Sequence, residues 1–359
     1  MLDQYYSTSH YRGRWALRYM LSKLGVGLND IVVCQAFTCT AVPEAISSLG
    51  AKPIFIDVAD RSVNMCPASL QNTLSKLSRV KAVIVQYTYG SDHLINDIFN
   101  VLNNYDIPVI EDCCHLPFAD STLSKLGDRS YGKFFSFEWG KPIPIGIGGV
   151  ALFSKKRCVV SLDDIEQVQL KVLNIVKLEM QYFAFKLLYK PSFYFLIKRA
   201  FRLLSRLGLL VGNHSPAVDP VNFSEYYLKI NPRVLKRLNR SDLACISNNV
   251  YSHSLSLRES ISNLNLNVIS SESSFLMRLP ILVKSKRDAL SKSAKLRLEL
   301  SDWYSSPVDP FSIKECEKLG WDVSHCKNAK FLSDHIVTIP LSTLIDVNDI
   351  KKYSFIAVL

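Results

Sequence analysis

The sequence predicts an α/β fold: a mainly parallel central sheet with helices on both faces, followed by a smaller C-terminal α+β domain. Two observations carry this reading. Between residues 14 and 153, segments with the apolar spacing of a helix alternate with short apolar strands, and such alternation needs crossover connections, hence parallel strands. Beyond residue 215 the alternation gives way to longer polar helices around isolated strands. A chain of 359 residues, 48% apolar, can bury one large core and a smaller one. We divide it into a large domain (1–160), a helical insertion or linker rich in basic and aromatic residues (161–214) and a small α+β domain (215–359).

Taken in order, Arg14 to Leu24 has helical spacing and Asp30 to Cys34 reads as a strand. Val42 to Leu49 follows as helix, Pro53 to Val58 as strand, Pro67 to Leu77 as helix and Ala82 to Val85 as strand. Leu94 to Asn104 (helix), Val109-Ile110, Phe134 to Phe137 and Gly149 to Phe153 (strands) complete the sheet. The stretch Lys177 to Leu210 carries eight aromatics between Tyr182 and Phe201, seven Lys or Arg and one acid, Glu179. Pro191 divides it into helices over 178–189 and 193–207. Neither half offers 18 uninterrupted apolar residues, so a spanning helix is disfavoured; the segment either lies on an anionic membrane surface or packs on the core or in a dimer interface. The C-terminal part reads as a helix over 242–264, a strand over 276–283, a helix over 285–300, a strand over 336–339 and a last short helix over 347–357.

Composition narrows the setting. Forty-three Lys and Arg against 32 Asp and Glu give +11, which suits an anionic partner such as a nucleotide sugar or a membrane surface. No nucleic-acid module is present, so no nucleic-acid partner is expected. Nine cysteines without regular spacing, two of them adjacent at Cys113-Cys114, suit free thiols in a reducing compartment. No C-x-x-C pair occurs and the seven histidines are scattered, so no metal site is expected. Met1 to Tyr6 has no basic segment followed by an apolar one, and the expected location is the cytoplasm, with the inner membrane surface as a peripheral possibility.

One run concentrates chemistry. Phe135-Ser136-Phe137-Glu138-Trp139-Gly140-Lys141, followed by Gly146-Ile147-Gly148-Gly149, ends an apolar strand with a hydroxyl five residues before a lysine. The hydroxyl can hold a phosphate oxygen while the amine reaches an aldehyde carbon, and pyridoxal 5'-phosphate (PLP) carries both groups. A second strand, Ile107 to Asp112, ends in a carboxylate able to pair with a protonated pyridine nitrogen. Ligands of parallel sheets bind beyond the carboxyl ends of the strands, where Ser136 and Asp112 both lie.

Seven segments in order, Gly13 to Leu17, Leu24 to Gly27, Ala36-Phe37-Thr38, Gly50 to Val58, Tyr89-Gly90, Val109 to Asp112 and Ser136 to Lys141 with its glycines, resemble the DegT/DnrJ/EryC1/StrS sugar aminotransferases. The resemblance is strong over residues 12–153 and weaker over 275–359. It implies a PLP-dependent enzyme of fold type I with residues 1–160 as the PLP-binding domain. It further implies that Lys141 is the Schiff-base lysine and the general base and acid, that Asp112 keeps the pyridine nitrogen protonated, and that His115 lies beside the ring oxygen. Ser136, with the amides of Gly13 and Arg14 at the start of the first helix, would bind the phosphate. A homodimer with a shared active site is implied too, in which Asn231 or Asn239 reaches the partner's cofactor phosphate.

The chain departs from the family's pattern at several points. Where the family has Pro-x-x-Thr followed by a ring-stacking aromatic, this chain has Gln35, Thr38 and Cys39; stacking is then either lost or supplied elsewhere, with Tyr87 one candidate. The phosphate loop is Arg12-Gly13-Arg14, whose arginines can fork a phosphate. Ile147 stands where the family has a glutamate, and about a dozen residues precede the phosphate loop where the family has a longer leading segment. The first functional expectation is an aminotransferase that moves an amino group, from glutamate in the first instance, onto a nucleotide- or lipid-linked keto-sugar in surface polysaccharide or lipopolysaccharide synthesis. Lys141 argues against the family's dehydratase branch, which has His there. The alternative is a catalytically weakened relative acting as a membrane-surface or assembly component through residues 178–210.

Overall fold

The computed structural model describes residues 2–158, 167–189, 225–240, 243–341 and 347–358, with isolated positions between 197 and 210. Seven strands form its central sheet: β1 (Tyr5–His10), β2 (Ile31–Gln35), β4 (Lys52–Ile56), β5 (Val80–Gln86), β6 (Val109–Asp112), β7 (Gly132–Ser136) and β8 (Gly149–Ser154). Their spatial order is β1-β8-β7-β6-β5-β2-β4. The pairs from β4 through β7 are parallel, and β8 runs antiparallel to both β7 and β1. The expected α/β fold with a mainly parallel sheet is therefore the observed one. The central strands are buried on both faces, as all five positions of β7 and all six of β8 are, which is why they read as continuous apolar runs.

The crossovers are α1 (Gly13–Lys23), α2 (Ala41–Ser47), α3 (Pro67–Leu74), α4 (Ile95–Leu102) and α5 (Asp120–Leu126). In α1 the buried Trp15, Ala16, Leu17, Tyr19, Met20 and Leu21 recur at helical spacing. Burying each large apolar side chain contributes about 1.5–3 kcal/mol. β1 was not expected. Its sequence Tyr-Tyr-Ser-Thr-Ser-His lacks an apolar run because it is an edge strand with only its two end residues buried, and its order comes from pairing with β8.

After β8 the chain forms α6 (Val172–Leu188), α7 (Pro232–Leu238) and the 20-residue α8 (Leu243–Ser262). Two strands, β9 (Arg278–Leu282) and β11 (Ile336–Pro340), pair antiparallel; between them lie α9 (Lys286–Lys295), α10 (Ile313–Lys318) and α11 (Lys327–His335). These strands share a second apolar core with Leu257, Ile261, Ala289 and Tyr353. A two-residue strand, β10 (Val308–Asp309), adds to β3 (Thr38–Cys39) in parallel, so a C-terminal segment abuts the mouth of the main sheet. α6 begins six residues before the expected 178 and ends at 188, and most of the expected helix over 193–207 lies outside the described residues.

Candidate active site

The carboxyl ends of β5, β6 and β7, the start of β8 and the start of α1 meet at one edge of the sheet, because Ser136 pairs with Gly149 and Gly149 with His10. Lys141 is set there by a turn. Its N–H donates to the Glu138 carbonyl at 3.1 Å, and Gly140, third in the turn, has φ +79°, a left-handed conformation that glycine adopts without strain. Both flanks of the turn are anchored. Glu138 accepts from Arg12 at 3.1 Å, while Trp139 packs its ring 4.9 Å from Phe185 on α6. Burial opposes ionisation of Glu138, but Arg12, Arg14 and Lys141 outweigh it and hold the carboxyl below its ordinary value.

Ser136 faces Gly13. A Cβ built on Gly13 would come within 2.8 Å of Ser136 Cβ and 3.2 Å of its Oγ, so only glycine lets the two backbones approach. Gly149 performs the same service for Arg12 and Gly13, whose backbone atoms lie 2.6 Å from where its Cβ would be. α1 has no side-chain cap at Arg12. A hydroxyl therefore stands beside an uncapped helix start, an arrangement suited to an anion.

Asp112, at the end of β6, is buried and accepts from the Cys114 N–H at 3.0 Å. Burial pushes its carboxyl up, opposed by that N–H and by the charge of Lys141. Beside it in register is Gln86, whose Oε1 accepts from Thr38 Oγ1 at 2.6 Å. The half-buried Cys39 is raised by burial, with Lys141, Asp112 and Arg14 all acting on it. Thr38, Cys39, Asp112 and Lys141 thus share one neighbourhood.

His115 belongs to it as well. Its Nδ1 accepts the Tyr89 N–H at 3.0 Å, which leaves the ring proton on Nε2. Burial first, then the cations Lys141 and Arg278, drive His115 well below the ordinary histidine value, so the ring is neutral. Trp303 stands 5.0 Å from His115 and carries both Lys141 Nζ, 5.2 Å from its ring centre, and the Arg278 guanidinium at 5.4 Å. A cavity of about 120 Å³ beside Lys141 is lined by Gly140, Met277, Arg278, Glu299 and Tyr189 among others. Larger clefts of about 480 and 670 Å³ contain none of Lys141, Asp112 and Ser136. The chemistry decides which cavity matters.

Two expectations need correction. Tyr87 does not join the site: its hydroxyl donates to Glu111 Oε2 at 2.6 Å, and Glu111 and Asp112 are consecutive on a strand, so they face opposite sides of the sheet. Asn231 is 1% exposed, caps α7 by accepting from the Arg233 N–H at 2.9 Å and donates to Glu179. Asn239, at the other end of α7, is exposed. The arginines of the phosphate loop are also engaged by carboxylates: Arg12 by Glu138 and by Glu225 at 2.5 Å, and Arg14 by Glu44. They fix the loop rather than forming an open fork.

The sequence did not point to Trp303, Arg278, Trp139 or the Arg12–Glu138 pair. Arg278 carried a usable signal, a charge inside the apolar run Phe275 to Leu279. Trp303 carried none, because its role arises from packing across the whole chain length.

A lysine, a buried carboxylate and a hydroxyl at an uncapped helix start are thus gathered beyond the strand ends of a parallel sheet in an α/β fold. Residues 3–169 match the model of the DegT/DnrJ/EryC1/StrS aminotransferase family. It is 36% identical over 149 residues, 42% of this chain and 41% of the relative, to the UDP-2-acetamido-2-deoxy-3-oxo-D-glucuronate aminotransferase of Pseudomonas aeruginosa. It is 31% identical over 137 residues, 38% of this chain and 36% of the relative, to the UDP-N-acetyl-3-dehydro-alpha-D-glucosamine 3-aminotransferase of Acidithiobacillus ferrooxidans. The chain spans about two fifths of the length of these relatives. In fold it is similar to ntda from Bacillus subtilis with bound cofactor PMP, with a TM-score of 0.64, 17% identity, and coverage of 99% of this chain and 73% of that one.

Proposed function

We propose that this chain is a PLP-dependent aminotransferase that delivers an amino group to a nucleotide-linked keto-sugar. The observation that carries the reading is the convergence of Lys141, Asp112, Ser136 and the start of α1 at one edge of the sheet. These residues fit PLP: the Gly13–Ser136 cradle suits its phosphate, the buried Asp112 carboxylate suits its pyridine nitrogen, and Lys141 Nζ lies against the Trp303 ring in electrostatic contact with Asp112. When bound, PLP supplies an electron sink that loosens the C–H bond beside the transferred nitrogen.

The chain's own groups do the rest. Lys141 Nζ would take the proton from the donor's carbon in the first half of the reaction and deliver a proton to the sugar carbon in the second, and the turn through Gly140 keeps the amine in range. His115, neutral and protonated at Nε2, would be the donor available to the cofactor's ring oxygen. Trp303 excludes water from one side of the amine. Arg278 is buried with its Nε lacking a hydrogen-bond partner, and we assign it the carboxylate of the amino-acid donor, for which glutamate is the proposed identity. The UDP-sugar substrate named for the Pseudomonas relative and the net charge of +11 both support an anionic nucleotide sugar as acceptor. The proposed setting is surface-polysaccharide assembly in the cytoplasm, as a homodimer in which the exposed Asn239 is the residue available to a partner's site.

The test is transfer of isotope-labelled nitrogen from glutamate to a UDP-linked keto-sugar by the purified chain with PLP, read by mass spectrometry of the sugar. Labelled amino-sugar is the expected product. A chain that binds PLP yet transfers nitrogen from no amino acid to any nucleotide keto-sugar overturns the reading.

A further inference from the structure

Helix α6 turns an apolar stripe to solvent. Val172, Val176, Met180, Phe183 and Leu187 are 76, 49, 66, 62 and 68% exposed, and their spacing of three or four residues keeps them on one face. The opposite face is committed to the protein: Leu178 is buried, and Tyr182 and Phe185 pack on Trp139. The exposed Lys177 and Lys186 flank the stripe on its two sides, one about 100° beyond Val176 and the other about 100° before Leu187. Leu203 and Leu207, later in the same segment, are 58 and 61% exposed. An apolar face of this extent calls for a cover.

We propose that α6 docks in the plane of an anionic lipid bilayer. Charge selects this occupant. Residues 177–210 carry seven Lys or Arg and one acid, Glu179, whose carboxylate is already paired with Arg237. A second copy related by a two-fold axis would set one lysine-flanked stripe against another, and the like charges would repel. A bilayer surface instead takes the apolar side chains at its acyl boundary while the lysines meet anionic headgroups. Among the described residues no helix is long and apolar enough to cross a membrane, so α6 lies on the surface. Phe185 on α6 and Tyr189 just beyond its end line the cavity beside Lys141; docking through the stripe therefore leaves that cavity on the side of the helix away from the membrane.

The full chain would be sedimented with vesicles of phosphatidylcholine alone or mixed with phosphatidylglycerol, alongside a Met180→Asp/Phe183→Asp variant and a Lys177→Glu/Lys186→Glu variant. All four positions are exposed, and circular dichroism verifies that the variants fold. The expected result is anionic-vesicle binding that weakens at least about tenfold in each variant, and that also weakens in high salt and on phosphatidylcholine alone. Wild type that fails to pellet with anionic vesicles, or variants that pellet equally, overturn the proposal. So does a wild-type dimer that dissociates in the Met180→Asp/Phe183→Asp variant by light scattering, which would assign the face to a second copy. The readout is lipid binding, so it stands apart from whether the chain transfers amino groups.

Discussion

A methyl group added at Gly13 would sit 2.8 Å from Ser136 Cβ, and neither backbone has room to retreat because Gly149 is already in close contact with Arg12 and Gly13. Gly13→Ala is therefore expected to weaken PLP binding by at least about tenfold, roughly 1.4 kcal/mol, in an absorbance titration; unchanged affinity would remove the phosphate role of this cradle. Arg278→Lys keeps the charge but loses the planar fork. The expected effect is a KM for the amino donor raised about tenfold or more, the loss of a charge-assisted hydrogen bond, with kcat little altered. Lower kcat at unchanged KM would make Arg278 a structural residue only. Asp112 and Ser136 stood out in the sequence because each closes an apolar strand, and Lys141 because it follows Ser136 by five residues within an ordered set of motifs. Tyr87 was misread because the face a side chain takes depends on how the chain leaves its strand, and neighbouring aromatics look alike in a sequence.

At the scale of elements, β6 and β7 are tied together behind the site. Glu111 and Lys133 are fully buried and ion-paired, and Glu111 also accepts from Ser130 Oγ and Tyr87 OH, each at 2.6 Å. A buried charge without its partner is costly, so Glu111→Gln is expected to destabilise the fold by about 3–5 kcal/mol, measured by urea unfolding. The double change Glu111→Leu with Lys133→Met should lose less than the sum of the single changes, because it leaves no orphaned charge. Additive losses would mean that the pair is not coupled. The apolar strands were legible from their runs, whereas β1 was not, since its order is borrowed from β8. The start of α6 was missed because most of its large apolar residues face solvent, which blurs the pattern a core-facing helix would write.

Across the whole molecule, buried histidines link stability to pH. Burial lowers His10 to about 3, and His115 lies well below its ordinary value for the same reason, with Lys141 and Arg278 adding to it. Both rings stay neutral in the fold but take up a proton near pH 6.5 in the unfolded chain. Their contribution is thus fully present above about pH 6.5 and is lost as pH falls toward the folded values, by about 1.4 kcal/mol per pH unit for each ring. His10→Gln should flatten the acid limb of the stability curve by about one proton; an unchanged slope would show that His10 titrates normally. The mainly parallel sheet was legible because crossover topology follows from the alternation of helices and strands. The closing of the site by Trp303 and by β10 on β3 was not, because it depends on contacts more than 200 residues apart, such as Tyr304 N–H to Tyr89 OH at 2.8 Å. The chemistry assigned to this edge of the sheet rests finally on Lys141. Borohydride reduction of the PLP-saturated chain, followed by peptide mass spectrometry, should find the reduced cofactor adduct on Lys141 and nowhere in Lys141→Ala; no adduct, or an adduct on a different lysine, would contradict it.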